Sequence, residues 1–131
     1  MNDLFTILQH IEKRPGMYFG YGDRSRSIRI LQAFILGFQV SQHGLNTKNV
    51  FDCFTEWVAL HYRVLADSMG GFDIILDRVG GDERKAYDEF FTLLPNYIRD
   101  RDQVGVDSIR LRFSEVQDDL WKAFREELKK H

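Results

Sequence analysis

Apolar residues recur at three- and four-residue intervals along almost the whole chain, and short glycine or proline breaks separate the runs. That spacing is the signature of amphipathic helices, and it constrains the fold before any chemistry is considered. Leu4, Ile7, Leu8 and Ile11 form the apolar face of a first helix, which Asn2 or Asp3 can cap and which Pro15 and Gly16 end. Met17 to Gly22 reads as a loop. A second helix starts from Ser25 or Ser27 and runs to His43, with Ile28, Leu31, Ile35 and Phe38 in one stripe, Phe34 and Leu36 widening it, and Gly44 as the stop. Asn46 to Asn49 form a polar connection. The third helix, about Val50 to Leu65, carries Phe51, Phe54, Val58, Tyr62 and Leu65 at helical spacing, with Trp57 and His61 beside that stripe.

Gly70 and Gly71 break the chain again. Phe72 to Val79 is too short for periodicity to separate helix from strand, and a short helix is favoured. After Gly80 and Gly81, Asp82 and Glu83 suit a helix N-terminus, and Ala86, Phe90, Leu93, Leu94 and Tyr97 share one side. Pro95 is expected to kink or end that helix. Asp100 to Asp107 reads as a charged loop, and Ser108 to Phe113 alternates polar with apolar, a short strand signal. Ser114 with Gln117 has the spacing of a capping box, opening a last helix whose core face is Val116, Leu120, Phe124 and Leu128. The expectation is a mainly α protein: a compact bundle of five to six helices in one domain over residues 1–131, with one short strand near Ser108–Phe113.

Composition narrows the functional classes. The 131 residues are 44% hydrophobic and 14% aromatic, enough to build a core. Eighteen Lys and Arg against 20 Asp and Glu leave a net charge of −2, without the basic excess of a general nucleic-acid binder. Cys53 stands alone, which excludes an internal disulfide and a cysteine-based zinc site. None of the four histidines lies three or four residues from another, so no metal or other cofactor is expected. Asp3, Gln9 and His10 interrupt any signal-like N-terminus, and Ala33 to Phe38 is the longest apolar stretch, so a cytoplasmic protein without a membrane span is expected.

No catalytic residues are expected. Adjacent carboxylates such as Asp82-Glu83, Asp88-Glu89 and Asp118-Asp119 diverge by about 100° on a helix and do not converge on one substrate. Ser68 lacks the preceding glycine of a nucleophile elbow. Arg24, Arg26 and Arg29 place three positive charges at a helix start, where a bound anion would also meet free backbone N–H groups; they are candidate anion contacts. Surplus aromatic residues beside charges suit a protein interface.

Glu12-Lys13-Arg14-Pro15-Gly16-Met17-Tyr18-Phe19-Gly20 resembles the Lys-Arg-Pro-Gly-Met-Tyr-Ile-Gly segment of gyrase-type GHKL ATPases. The helix that follows, Ile30 to Gly37, has neither the Asn for magnesium nor the acid that activates water, and the Gly-rich phosphate loops are missing. ATP hydrolysis is therefore not expected. A wider pattern covers roughly residues 4 to 97. It runs through Arg14-Pro15-Gly16-Met17-Tyr18, Ser27-Ile28, Leu31, Phe34-Ile35, Gly37-Phe38, Phe54, Glu56-Trp57-Val58, Ser68, Gly70-Gly71, Asp82-Glu83, Ala86 and Phe90-Phe91. It resembles a family of small bacterial proteins often encoded beside polymorphic or contact-dependent toxins. The resemblance implies an immunity protein, an antitoxin that binds and neutralises a cognate toxin domain of the same locus.

On that reading Pro15 and Gly16 set a turn while Met17 and Tyr18 pack into the bundle. Partner contacts are sought at Trp57 and His61, and at Asp77, Asp82 and Glu83, which could face a basic active site. Two alternatives stay open. One is an immunity enzyme that reverses a toxin's modification, and the other a nucleic-acid-associated regulatory module using Arg24, Arg26 and Arg29. Residues Arg99 to His131 have no counterpart in the pattern.

Overall fold

A computed structural model describes residues 3–20, 22–43, 51–66 and 68–130. The Asn2 cap, the Gly44 stop and the Asn46–Asn49 connection lie outside these residues. Among the described residues seven α-helices follow one another: α1 Asp3–Lys13, α2 Gly16–Phe19, α3 Ile28–His43, α4 Phe54–Tyr62, α5 Gly71–Arg78, α6 Glu83–Gln103 and α7 Val106–Lys129, with a 3-10 turn at Asp23–Arg26 between α2 and α3. The mainly α architecture is as expected, and the extra helix is the single turn α2. Pro15, at φ −61°, enters that turn, its carbonyl accepts from the Tyr18 and Phe19 amides, and Gly20 at φ +82° ends it.

Four other features differ from expectation. Ser108–Phe113 is the start of α7, not a strand. Ile109 and Phe113, four residues apart, face inward on a helix while Leu111 stands 64% exposed, so the alternation was half of a helical stripe. Pro95 lies inside α6 without ending it, because it sits on the exposed face while Leu93, Leu94 and Tyr97 anchor the helix on either side. Asp100–Asp107 is therefore largely helical, and Gly105 at φ +92° separates α6 from α7. α4 is shorter than the periodic run, because Cys53 (φ +59°) and Arg63 (φ +52°) adopt left-handed conformations at its two ends.

The core is aromatic. Phe54 meets Tyr97 edge to face at 5.1 Å, Phe51 stacks on Tyr97 at 5.8 Å, and Phe72 stacks on Phe90 at 5.3 Å. Leu4, Leu8 and Ile11 of α1 and Ile28, Leu31 and Ile35 of α3 close the opposite side, all buried. Ser27 ties these layers together: its Oγ donates to Glu83 Oε1 at 3.1 Å and accepts from the Ile30 amide at 3.4 Å, capping α3 against α6. Met17, 67% exposed, does not pack into the bundle as expected, whereas Tyr18, 44% exposed, does so in part, its ring meeting Phe34 of α3 edge to face at 6.3 Å; the buried residue of that segment is Pro15.

Gly71 opens α5 directly against α4, its amide donating to Thr55 Oγ1 at 2.9 Å. A Cβ there would stand 2.7 Å from Phe54 Cδ2 and 2.8 Å from Cε2, inside the packed ring. Gly71→Ala should lower stability by about 1–3 kcal/mol. Gly37, exposed in α3 with nothing within 4 Å of its missing Cβ, is the control, and Gly37→Ala should raise stability by about 0.8 kcal/mol. Urea midpoints read both.

Two buried phenols set an alkaline limit. Tyr87 donates to the Ile11 carbonyl at 3.3 Å, and Tyr97 to the Asp52 carbonyl at 2.6 Å. Burial is the main force raising both; the Tyr87 phenol is pushed up to about 12, and Tyr97 is raised further by Cys53 and Asp52 beside it. The unfolded chain loses these protons near pH 10 while the fold keeps them, so stability is complete below pH 10 and falls as pH rises toward 12. The expected slope is roughly 1.4 kcal/mol per pH unit for each phenol, measured as urea midpoints between pH 9 and 11.5.

Candidate functional site

α4, the end of α6 and the first half of α7 enclose a groove of about 600 Å³. Trp57, only 6% exposed, forms its floor. The indole Nε1–H donates to Asp100 Oδ2 at 2.9 Å, and His61, one turn along α4, stacks on the indole at 5.4 Å and 17°. Asp100 also accepts from Arg99 Nε at 3.4 Å, so its carboxylate is held within the chain. His61 is exposed at the lip, with Arg63 and Arg112 beside it. Sequence reasoning put Trp57 and His61 together, and the structure does the same. The pair gives an aromatic surface with a basic rim, in which the imidazole stacks on a ring.

The acidic candidates belong elsewhere. Asp82 Oδ1 accepts from the Arg84 and Lys85 amides, both at 3.0 Å, as the N-cap of α6, and Glu83 holds Ser27. Asp77 is exposed near the end of α5. Glu83 and Asp100 are 17 positions apart in α6, about 25 Å along the helix axis, so Asp82 and Glu83 do not share one site with Trp57 and His61. The arginine run is divided as well. Arg29 Nη1 pairs with Asp73 Oδ1 at 2.7 Å, Arg26 is exposed on the 3-10 turn, and the Arg24 side chain lies outside what the structure describes. Among the described residues no three His, Cys, Asp or Glu side chains are grouped to hold a metal, and no helix is long and apolar enough to cross a membrane.

The surface that sequence reasoning missed is the second half of α7. Val116 is buried, but Phe124 is 46% exposed, Leu128 59% and Trp121 39%. The supposed core face is thus covered only over its first half. Gln117 marks where cover ends: its Nε2 donates to the Val64 carbonyl at 2.9 Å and its Oε1 accepts from the Ala66 amide at 3.0 Å. That residue clips α7 to the loop after α4, and it is not a capping-box partner, because Ser114 lies within the helix. The apolar spacing was visible in the sequence, but spacing says nothing about which part of a helix another element will cover.

Gln117→Ala should cost about 1–3 kcal/mol, since two half-buried backbone groups lose their partner. Phe124→Ala should change stability by less than about 0.5 kcal/mol, as expected of a half-exposed side chain whose ring contact is with Trp121 of the same helix. Urea unfolding of both variants checks the pair.

Scanned against family models, curated proteins and solved structures, the chain matches none.

Proposed function

We propose that this protein is an immunity protein, which binds a toxin domain encoded in the same locus and neutralises it by covering a surface of that domain. The observation that carries this reading is the overhanging face of α7. Trp121, Phe124 and Leu128 sit at i, i+3 and i+7, and Trp121 meets Phe124 edge to face at 5.7 Å. A helix that offers large apolar side chains at this spacing suits a groove on another protein. Aromatic anchors carry most of the energy in such contacts.

The remainder of the molecule fits the same role. Gln117 and the α4–α7 packing hold the root of the helix, so little ordering is needed when a partner docks. Across the helix, the rim of Arg63, Arg112 and His61 favours carboxylates on the partner, which would set orientation and speed association. Asp82 and Glu83 are engaged within the chain, so acidic contacts to a basic toxin site are a weaker basis than this basic rim.

Co-expression with the C-terminal domain of the neighbouring large secreted protein tests the proposal, scoring viability and co-purification together. Rescue with a stoichiometric complex is expected. The Trp121→Ala/Phe124→Ala double variant should lose both, with affinity falling by about 2–4 kcal/mol, while its circular dichroism stays unchanged. Rescue without a complex would point to reversal of the toxin's modification. No rescue would overturn the proposal.

A further inference from the structure

A second surface lies at the other end of α6, and it draws together three segments that are far apart in sequence. Arg14 follows α1, with its amide donating to the His10 carbonyl at 2.9 Å. Arg26 ends the 3-10 turn, which is held by Ser25, whose amide and Oγ both donate to the Gly22 carbonyl, at 3.2 and 2.8 Å. Arg84 is in the first turn of α6, its amide fixed by Asp82. These three arginines line one surface cavity of about 490 Å³, together with Ser25, Pro15 and Met17.

Two contacts tie the described walls of the cavity together. Pro15 is buried at the α1–α2 junction, and the Ser27–Glu83 bond joins the end of the 3-10 turn to the start of α6. Three arginines therefore line a shared space. Among the described residues no carboxylate lines the cavity, and none lies within ion-pair distance of Arg14 or Arg26. Met17, exposed where packing into the bundle was expected, adds an apolar wall with Pro15.

We infer that this cavity binds a phosphorylated small molecule. Guanidinium groups match phosphate oxygens in charge and in their paired N–H geometry. The volume is that of a small-molecule site and exceeds what a bare phosphate needs, so the organic part of the ligand rests on Pro15 and Met17. Arg29 takes no part, because Asp73 holds it. The inference is independent of the toxin-binding proposal: it uses no α7 residue, and the cavity stands some 24 Å along α6 from the Trp57 groove.

The test is titration of the full chain with inorganic phosphate, pyrophosphate and a nucleoside 5′-diphosphate at constant ionic strength, followed by the arginine Nε–H signals in NMR and by calorimetry. The expected result is saturable shifts of the Arg14, Arg26 and Arg84 signals, with the nucleoside diphosphate binding more tightly than inorganic phosphate. Arg14→Ala and Arg26→Ala change exposed side chains and should each weaken binding about tenfold or more, while Arg29→Ala leaves it unchanged. No saturable shift, an equal response to chloride, or equal affinity in Arg26→Ala would overturn the inference. Tighter binding of a single-stranded oligonucleotide than of the nucleoside diphosphate would overturn it too, since the occupant would then be a polymer.

Discussion

The contact between α4 and α6 organises the aromatic centre of the core. It is made by rings: Phe54 touches Phe90 at 5.8 Å and Tyr97 at 5.1 Å, and Trp57 meets Tyr97 edge to face at 5.7 Å. Such pairs prefer tilted or edge-on geometry and add roughly 0.5–1.5 kcal/mol each beyond the area they bury. α5 can reach the cluster through Phe72 only because Gly71 has no side chain to hold it away from Phe54. The Tyr97 hydroxyl also anchors the turn before α4 through the Asp52 carbonyl, so one residue fixes both packing and chain entry.

Much of this was legible in the residues. The buried positions of α1 and α3, the Ser27 cap, the short α5 and the Phe90–Tyr97 face follow from spacing and capping chemistry, which act over one or two helical turns. What escaped was decided by distant contacts. Pro95 interrupts no helix because residues on both sides are anchored in the core, which outweighs the hydrogen bond it removes. Met17 reads as apolar and therefore inward, yet it faces a cavity whose other walls come from the 3-10 turn and from α6. The α7 stripe continues for two turns beyond the last element that covers it.

α6 also separates two kinds of chemistry. At its start, Arg84 joins the arginine-lined cavity, and near its end Asp100 orients the indole of Trp57. Charge is unevenly placed along it: three arginines line the cavity at its start, and the Asp100 carboxylate sits against Trp57 near its end. A whole-chain count of charges therefore says little about either surface.

The two tryptophans stand in opposite settings. Trp57 is enclosed and hydrogen-bonded to a carboxylate, whereas Trp121 lies in the open on a helix that extends past the bundle. The protein thereby carries its own pair of optical gauges. Emission from the enclosed indole follows the integrity of the bundle, and emission from the half-exposed one, reachable by quenchers such as iodide, follows the second half of α7. Docking and unfolding would leave different spectral signatures in the same sample, with no label added.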